Sequence, residues 1–156
     1  MQLDKIDLAI LKHLQLPGKL SNQELASKVG LSPSPCSRRV KALEDAGYIA
    51  SYSTQLNPER FGLNLTVYIQ VSLEKHNIEV LESFEQDISA MDEVQECSLI
   101  TGNEADYLLK VLVADMQHYK QFLLDKLTSS VHVAGIHSSF VLKKVKNHTS
   151  IPLPAL

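Results

Sequence analysis

Tryptophan is absent from the 156 residues, and cysteine occurs only twice, as Cys36 and Cys97. Two thiols so far apart make neither a disulfide framework nor a metal-type pair, so free thiols in a reducing cytoplasm are expected. No apolar run approaches the roughly 20 residues that span a membrane. The opening MQLDKIDLAILKHLQ carries acids and no apolar signal core, so no secretory peptide is expected. A phosphate-binding Gly-rich loop and a G-x-S-x-G elbow are both missing. The six histidines, His13, His76, His118, His132, His137 and His148, form no i, i+4 zinc pair. These absences lead to three expectations: no enzyme, no metal, no resident cofactor. Cationic excess is missing too, with 15 Lys or Arg against 18 Asp or Glu. Global charge alone therefore does not mark a nucleic-acid binder.

The chain does hold enough apolar sequence for a core, at 44% hydrophobic and 21% charged, as in soluble globular proteins. Its net charge of −3 is unevenly spread. Residues 1–60 hold eight Lys or Arg against six Asp or Glu, a balance of +2; residues 61–156 hold seven against twelve, a balance of −5. A mildly basic front and an acidic back suggest two modules with different partners.

The front reads as three helices. The first runs from Asp4, a good N-cap followed by Asp7, to about Gln15, with Ile6, Ile10 and Leu14 at helical spacing. Pro17 and Gly18 break the chain. Ser21 and Glu24 form a capping box for the second helix, Leu20 and Leu25 a hydrophobic staple, and Gly30 a stop. In LSPSPCSRRV, residues 31–40, Ser32 stands as N-cap and Pro33 takes the first helical position, where a missing N–H costs nothing. Pro35 also lies in the first turn, and Gly47 ends the helix. Two short helices joined by GLS match a helix-turn-helix. At 100° per residue, Cys36, Val40, Leu43 and Gly47 make one stripe; Ser34, Arg38 and Lys41 lie opposite, with Ser37 and Arg39 at the flanks. In a helix-turn-helix this part of the second helix enters the major groove. The residues alone also allow an ordinary three-helix module with a solvated basic face.

Beyond Gly47, YIASYSTQL reads as a short strand or linker. LNLTVYIQVSL, residues 63–73, then alternates strictly between apolar and polar. A helix follows with Val80, Leu81, Phe84, Ile88 and Met91 on one side, then strands near 94–101 and 107–113. A second helix carries Met116, Tyr119, Leu123 and Leu127, and a last strand lies near 136–145. This β-α-β-β-α-β order is the ferredoxin-like split pattern. The fold class is thus α+β, with an N-terminal helix-turn-helix and a C-terminal ferredoxin-like domain. The expected boundaries are 1–50 for the helix-turn-helix part, 51–62 for a linker strand, 63–146 for the ferredoxin-like domain, and 147–156 for an extended tail. One sheet face, carrying Tyr68 and Gln70, has no cover within the chain and predicts a homodimer packed sheet to sheet. TGNEADY, residues 101–107, is longer than a minimal hairpin needs. It reads either as a solvated loop or as a small-ligand site, in which Gly102 admits close approach and a carboxylate meets an ammonium group.

LDKIDLAILKHLQ, LSNQELASKVGLSPSPCSRRVKALEDAGYI, VQECSLITG and DYLLKV together resemble the leucine-responsive and asparagine regulator family, the feast/famine transcription regulators. The resemblance runs in order over essentially the whole chain. It implies sequence-specific binding of double-stranded DNA, for which Ser21, Asn22, Ser32, Ser34, Ser37, Arg38, Arg39 and Lys41 are the candidate contacts. By their places on the helix, Arg38 on the exposed face is expected to read a base and Arg39, nearer the flank, to touch phosphate. It also implies dimers assembling further, often to octamers, and an amino-acid effector held between dimers at Thr101, Gly102, Asn103, Glu104, Asp106 and Tyr107. Ser138 and Ser139 are expected at the same site. Where the family commonly has two residues between glycine and aspartate, this chain has three, Asn103, Glu104 and Ala105. Asp106 is the first candidate for the ligand ammonium and Glu104 the rival. With no strong cation in the loop, a neutral ligand such as leucine or methionine is expected. Two other readings stand beside this one. In the first, the chain is an amino-acid-binding regulatory module of metabolism with no DNA role; in the second, an enzyme on the ferredoxin-like domain. Missing catalytic groups count against the second, and salt-sensitive duplex binding separates the first.

Overall fold

The computed structural model describes residues 2–102, 104–130, 132–147 and 150–154. The chain divides into two compact units, Met1–Gln55 with Lys146–Leu156, and Leu56–Val145. No helix among the described residues is long and apolar enough to cross a membrane.

The first unit holds α1 (Lys5–Leu14), α2 (Asn22–Val29) and α3 (Pro33–Asp45). Each start follows from local chemistry. The Asp4 carboxylate accepts the Ile6 and Asp7 N–H groups at 2.8 Å, and Asp7 accepts the Asp4 N–H in return. Ser21 and Glu24 exchange the same pair of bonds at α2. Gly30 stops α2 at φ +71°, in the left-handed region, and the Leu31 N–H reaches back to the Ala26 carbonyl at 2.9 Å. Ile10, Leu25, Ala26, Cys36 and Leu43 form the buried centre. Gly47, placed on the apolar stripe by periodicity, is exposed because α3 ends at Asp45 and the chain turns there at φ +76°. The tail returns to α1, where the Gln15 amide donates to the Ile151 carbonyl and accepts the Ile151 N–H, both at 3.0 Å.

The second unit opens with a 3-10 turn at Pro58–Phe61. It continues as β1 (Leu65–Leu73), α4 (Ile78–Ser89), β2 (Val94–Leu99), β3 (Tyr107–Val113), α5 (Met116–Gln121) with a π-helical continuation at Phe122–Leu127, and β4 (Val133–Phe140). The sheet is antiparallel in the order β2-β3-β1-β4, as the split pattern predicts. Val67, Ile69 and Val71 face Phe84, Ile88, Tyr119 and Phe122 of the helices in one apolar core. No helix of this unit covers the other face, where Tyr68 is flanked by Lys110 and Ser139.

Three details differ from the periodicity reading. No strand forms within residues 49–57, so this stretch is the linker alternative. β4 begins at Val133 and ends at Phe140, not near 145, because the Val141 N–H reaches Thr66 beside the first residue of β1 and the ladder has no further partner. The helix after β3 buries Tyr119, Phe122 and Leu127, while Met116 is 58% exposed. Met116 is the first residue of α5 and stands at its exposed start, while Leu123 packs partly buried against the same core as Tyr119 and Leu127.

Candidate functional site

The exposed side of α3 carries Ser34, Ser37, Arg38 and Lys41. Ser32 sits at the N-cap with an extended backbone, yet its side chain makes no capping bond. Sequence explains this. The usual donor at the third helical position belongs here to Pro35, which has no N–H. The Ser32 hydroxyl therefore stays exposed at the start of the helix. Ser21 and Asn22 are exposed as well, but both polar groups also serve the motif internally. The Ser21 hydroxyl bonds Glu24 at 2.7 Å. The Asn22 amide donates to the Pro33 carbonyl at 2.9 Å and fixes the short turn.

Arg39 differs from its neighbours. Its Nη1 lies 2.8 Å from Asp4 Oδ2 and 2.7 Å from Asp7 Oδ1. Asp7 is 2% exposed, and a buried carboxylate needs such a partner. The two aspartates raise the Arg39 guanidinium above its ordinary value, Asp4 foremost. The Asp7 N–H and then Arg39 hold Asp4 below its own. Arg39 thus clamps α3 to the start of α1, where the helical wheel leads to the expectation of a phosphate contact at the flank. The signal was in the spacing: Arg39 lies three residues after Cys36 and four before Leu43, beside the buried stripe.

At one end of the sheet, Ile100–Asp106 joins β2 to β3. Thr101, Gly102 and Glu104 are exposed there, and Gly102 adopts φ +103°, which only glycine reaches without strain. Asn103 lies outside the described residues. The Glu104 carbonyl accepts from the Ser72 hydroxyl at 3.0 Å, which anchors the loop to the end of β1. Asp106 extends the β3 ladder by its side chain. Its N–H donates to the Val71 carbonyl at 2.9 Å, and its Oδ2 accepts the Leu73 N–H at 2.7 Å. Its Oδ1 lies 2.9 Å from His76 Nε2. His76 was not among the expected residues. It belongs to a different loop, and no local pattern announces a partner thirty residues away.

Three expected residues lie elsewhere. Tyr107 is 1% exposed in the core; its ring stacks on Phe84 at 4.7 Å, and its hydroxyl donates to Glu85 at 2.7 Å. Burial and the neighbouring Glu85 push its hydroxyl well above the ordinary range. Ser138 pairs with Ile69 in mid-strand on the helix-covered face and bonds the Tyr119 hydroxyl. Ser139 is on the open face beside Tyr68. Strand alternation sends these neighbours to opposite faces, and within one chain neither is brought to the loop. Among the described residues, no group of three or more His, Cys, Asp or Glu could hold a metal ion.

Comparison with known proteins agrees with this two-part layout. A model of winged helix-turn-helix DNA-binding domains matches residues 3–50, and the Lrp/AsnC ligand binding domain matches residues 66–151. The Bkd operon transcriptional regulator of Pseudomonas aeruginosa is 44% identical over 152 residues, covering 97% of this chain and 99% of that protein. The leucine-responsive regulatory protein of Haemophilus influenzae is 44% identical over 144 residues, covering 92% and 86%. Among solved structures, a transcriptional regulator of Neisseria meningitidis in complex with L-Met superimposes with a TM-score of 0.92 at 44% identity, over 97% of each chain. With a DNA-binding helix-turn-helix ahead of a ligand-binding domain, the chain belongs to the Lrp/AsnC family of transcription regulators.

Proposed function

We propose that this regulator reads a specific DNA site with α3 and alters that binding when a neutral amino acid occupies the Ile100–Asp106 loop. The carrying observation is the division of labour on α3. Arg39 is engaged with Asp4 and Asp7, whereas Ser34, Ser37, Arg38 and Lys41 remain in solvent on the opposite side. Hydroxyls and cations on that side suit base edges and phosphates. Residues 1–50 serve DNA, 51–62 link, and 63–146 sense and assemble. The tail, 147–156, contributes to the DNA-binding part by its contact with α1. The relative from Neisseria meningitidis, solved with L-Met, supports methionine or leucine as effector, and the absence of a cation in the loop fits a neutral side chain. Asp106 Oδ1 is the acceptor offered to the ligand ammonium, with backbone N–H groups near Gly102 for its carboxylate.

The working unit is a homodimer closed by the open sheet face around Tyr68, assembling further to an octamer in the cytoplasm. Paired recognition helices then stand about 34 Å apart or a multiple of it, on a pseudo-palindromic site. The reading is tested by fluorescence anisotropy on a selected operator duplex with and without L-methionine and L-leucine. A shift of the binding curve by either amino acid, but not by glutamate, supports it. Operator binding indifferent to all twenty amino acids overturns it.

A further inference from the structure

Asp106 is held by two partners of unlike kind. The Leu73 N–H on Oδ2 is a backbone donor fixed by the end of β1. His76 on Oδ1 is a side chain that remains 68% exposed, while the Asp106 side chain is 17% exposed. The first contact cannot be given up without opening the strand end. The second can, because a ring already largely in water loses little by turning away. His76 lies between β1 and α4 and directly precedes Asn77, whose side chain caps α4 by accepting the Val80 N–H at 3.0 Å.

We infer that His76 is a built-in competitor for the ligand ammonium: its Nε2 occupies the Asp106 oxygen that an amino acid needs, and binding displaces it. This rests on the reading that an amino acid binds at this loop. An ammonium group brings a full charge and three donors to the carboxylate. It can take the oxygen from a single ring N–H while the Leu73 bond keeps the carboxylate aimed. Occupation by His76 lowers apparent affinity in proportion to the fraction of time that the oxygen is free. The contact therefore sets the amino-acid concentration to which the regulator responds.

Calorimetry of the full chain with L-methionine provides the test, on wild type, His76→Ala and His76→Lys. Removing the competitor should tighten binding by about three- to tenfold. Lysine, a tethered ammonium on the same connection, should weaken it at least as much. Thermal unfolding verifies that both variants are folded, and the His76 ring resonances of the wild type should move when methionine saturates the site, which a packing role would not cause. Wild-type binding with unchanged or weaker affinity in His76→Ala overturns the inference and leaves the amino-acid site standing. Absence of methionine binding in all three proteins overturns the site and the inference with it.

Discussion

Arg39 is the residue on which the DNA-binding unit turns, because it is the partner of a carboxylate that is almost wholly buried. Its truncation leaves Asp7 charged and unpaired. The pair is partly open to water, with the Arg39 side chain 34% exposed, so Arg39→Ala should cost about 1–3 kcal/mol of stability, below a fully buried pair. Urea denaturation measures this, and a loss within error of zero would remove the clamp from the account. Asp4 adds a pH dependence of definite sign. Its folded carboxyl is held below the ordinary 3.8, first by the Asp7 N–H and then by Arg39. Its contribution to stability is therefore complete above about pH 3.8 and vanishes as pH falls through the lower folded value. Melting temperatures of wild type and Asp4→Asn should differ at neutral pH and converge in acid; a gap constant with pH would contradict the assignment. The cap at Asp4 was legible in the sequence because capping is local. The side of α3 that Arg39 takes follows from spacing, but its partners do not, because the whole of α2 lies between them in the chain.

At the scale of elements, the helix after β3 shows where periodicity stops informing. A pattern read at 100° per residue places Met116 with Tyr119, Leu123 and Leu127. Tyr119, Leu123 and Leu127 do face the core and Phe122 joins them, but Met116, at the exposed start of α5, does not. Phe122→Ala should then cost about 3–5 kcal/mol, as a large side chain removed from a core. Met116→Ala should stay within about 0.5 kcal/mol, as a surface change. Equal costs in denaturant titrations would contradict this division of the helix. The strands were easier. Strict alternation over 65–73 decides both the pairing and the face of β1. The end of β4 was not legible, since a strand stops where its neighbour stops and the length of β1 is information from elsewhere in the chain. The loop site divides the same way. Gly102 and Asp106 stand in a family motif, whereas His76 and the Leu73 N–H reach Asp106, and Ser72 the Glu104 carbonyl, only through the fold.

For the whole molecule, the proposed assembly sets a second copy on the exposed Tyr68 face. Sedimentation at micromolar concentration should give a dimer or larger, and Tyr68→Asp should shift it toward monomer; a wild-type monomer would contradict the assembly. DNA reading is measured directly by the affinities of wild type and Arg38→Ala for a selected operator and for a random duplex, across a range of salt. For the wild type, both should weaken steeply as salt rises, through displaced counterions. Arg38→Ala should lose about 1–3 kcal/mol on the operator and little on the random duplex, as expected for a base contact. Unchanged operator affinity in Arg38→Ala, or equal losses on both duplexes, would contradict the account.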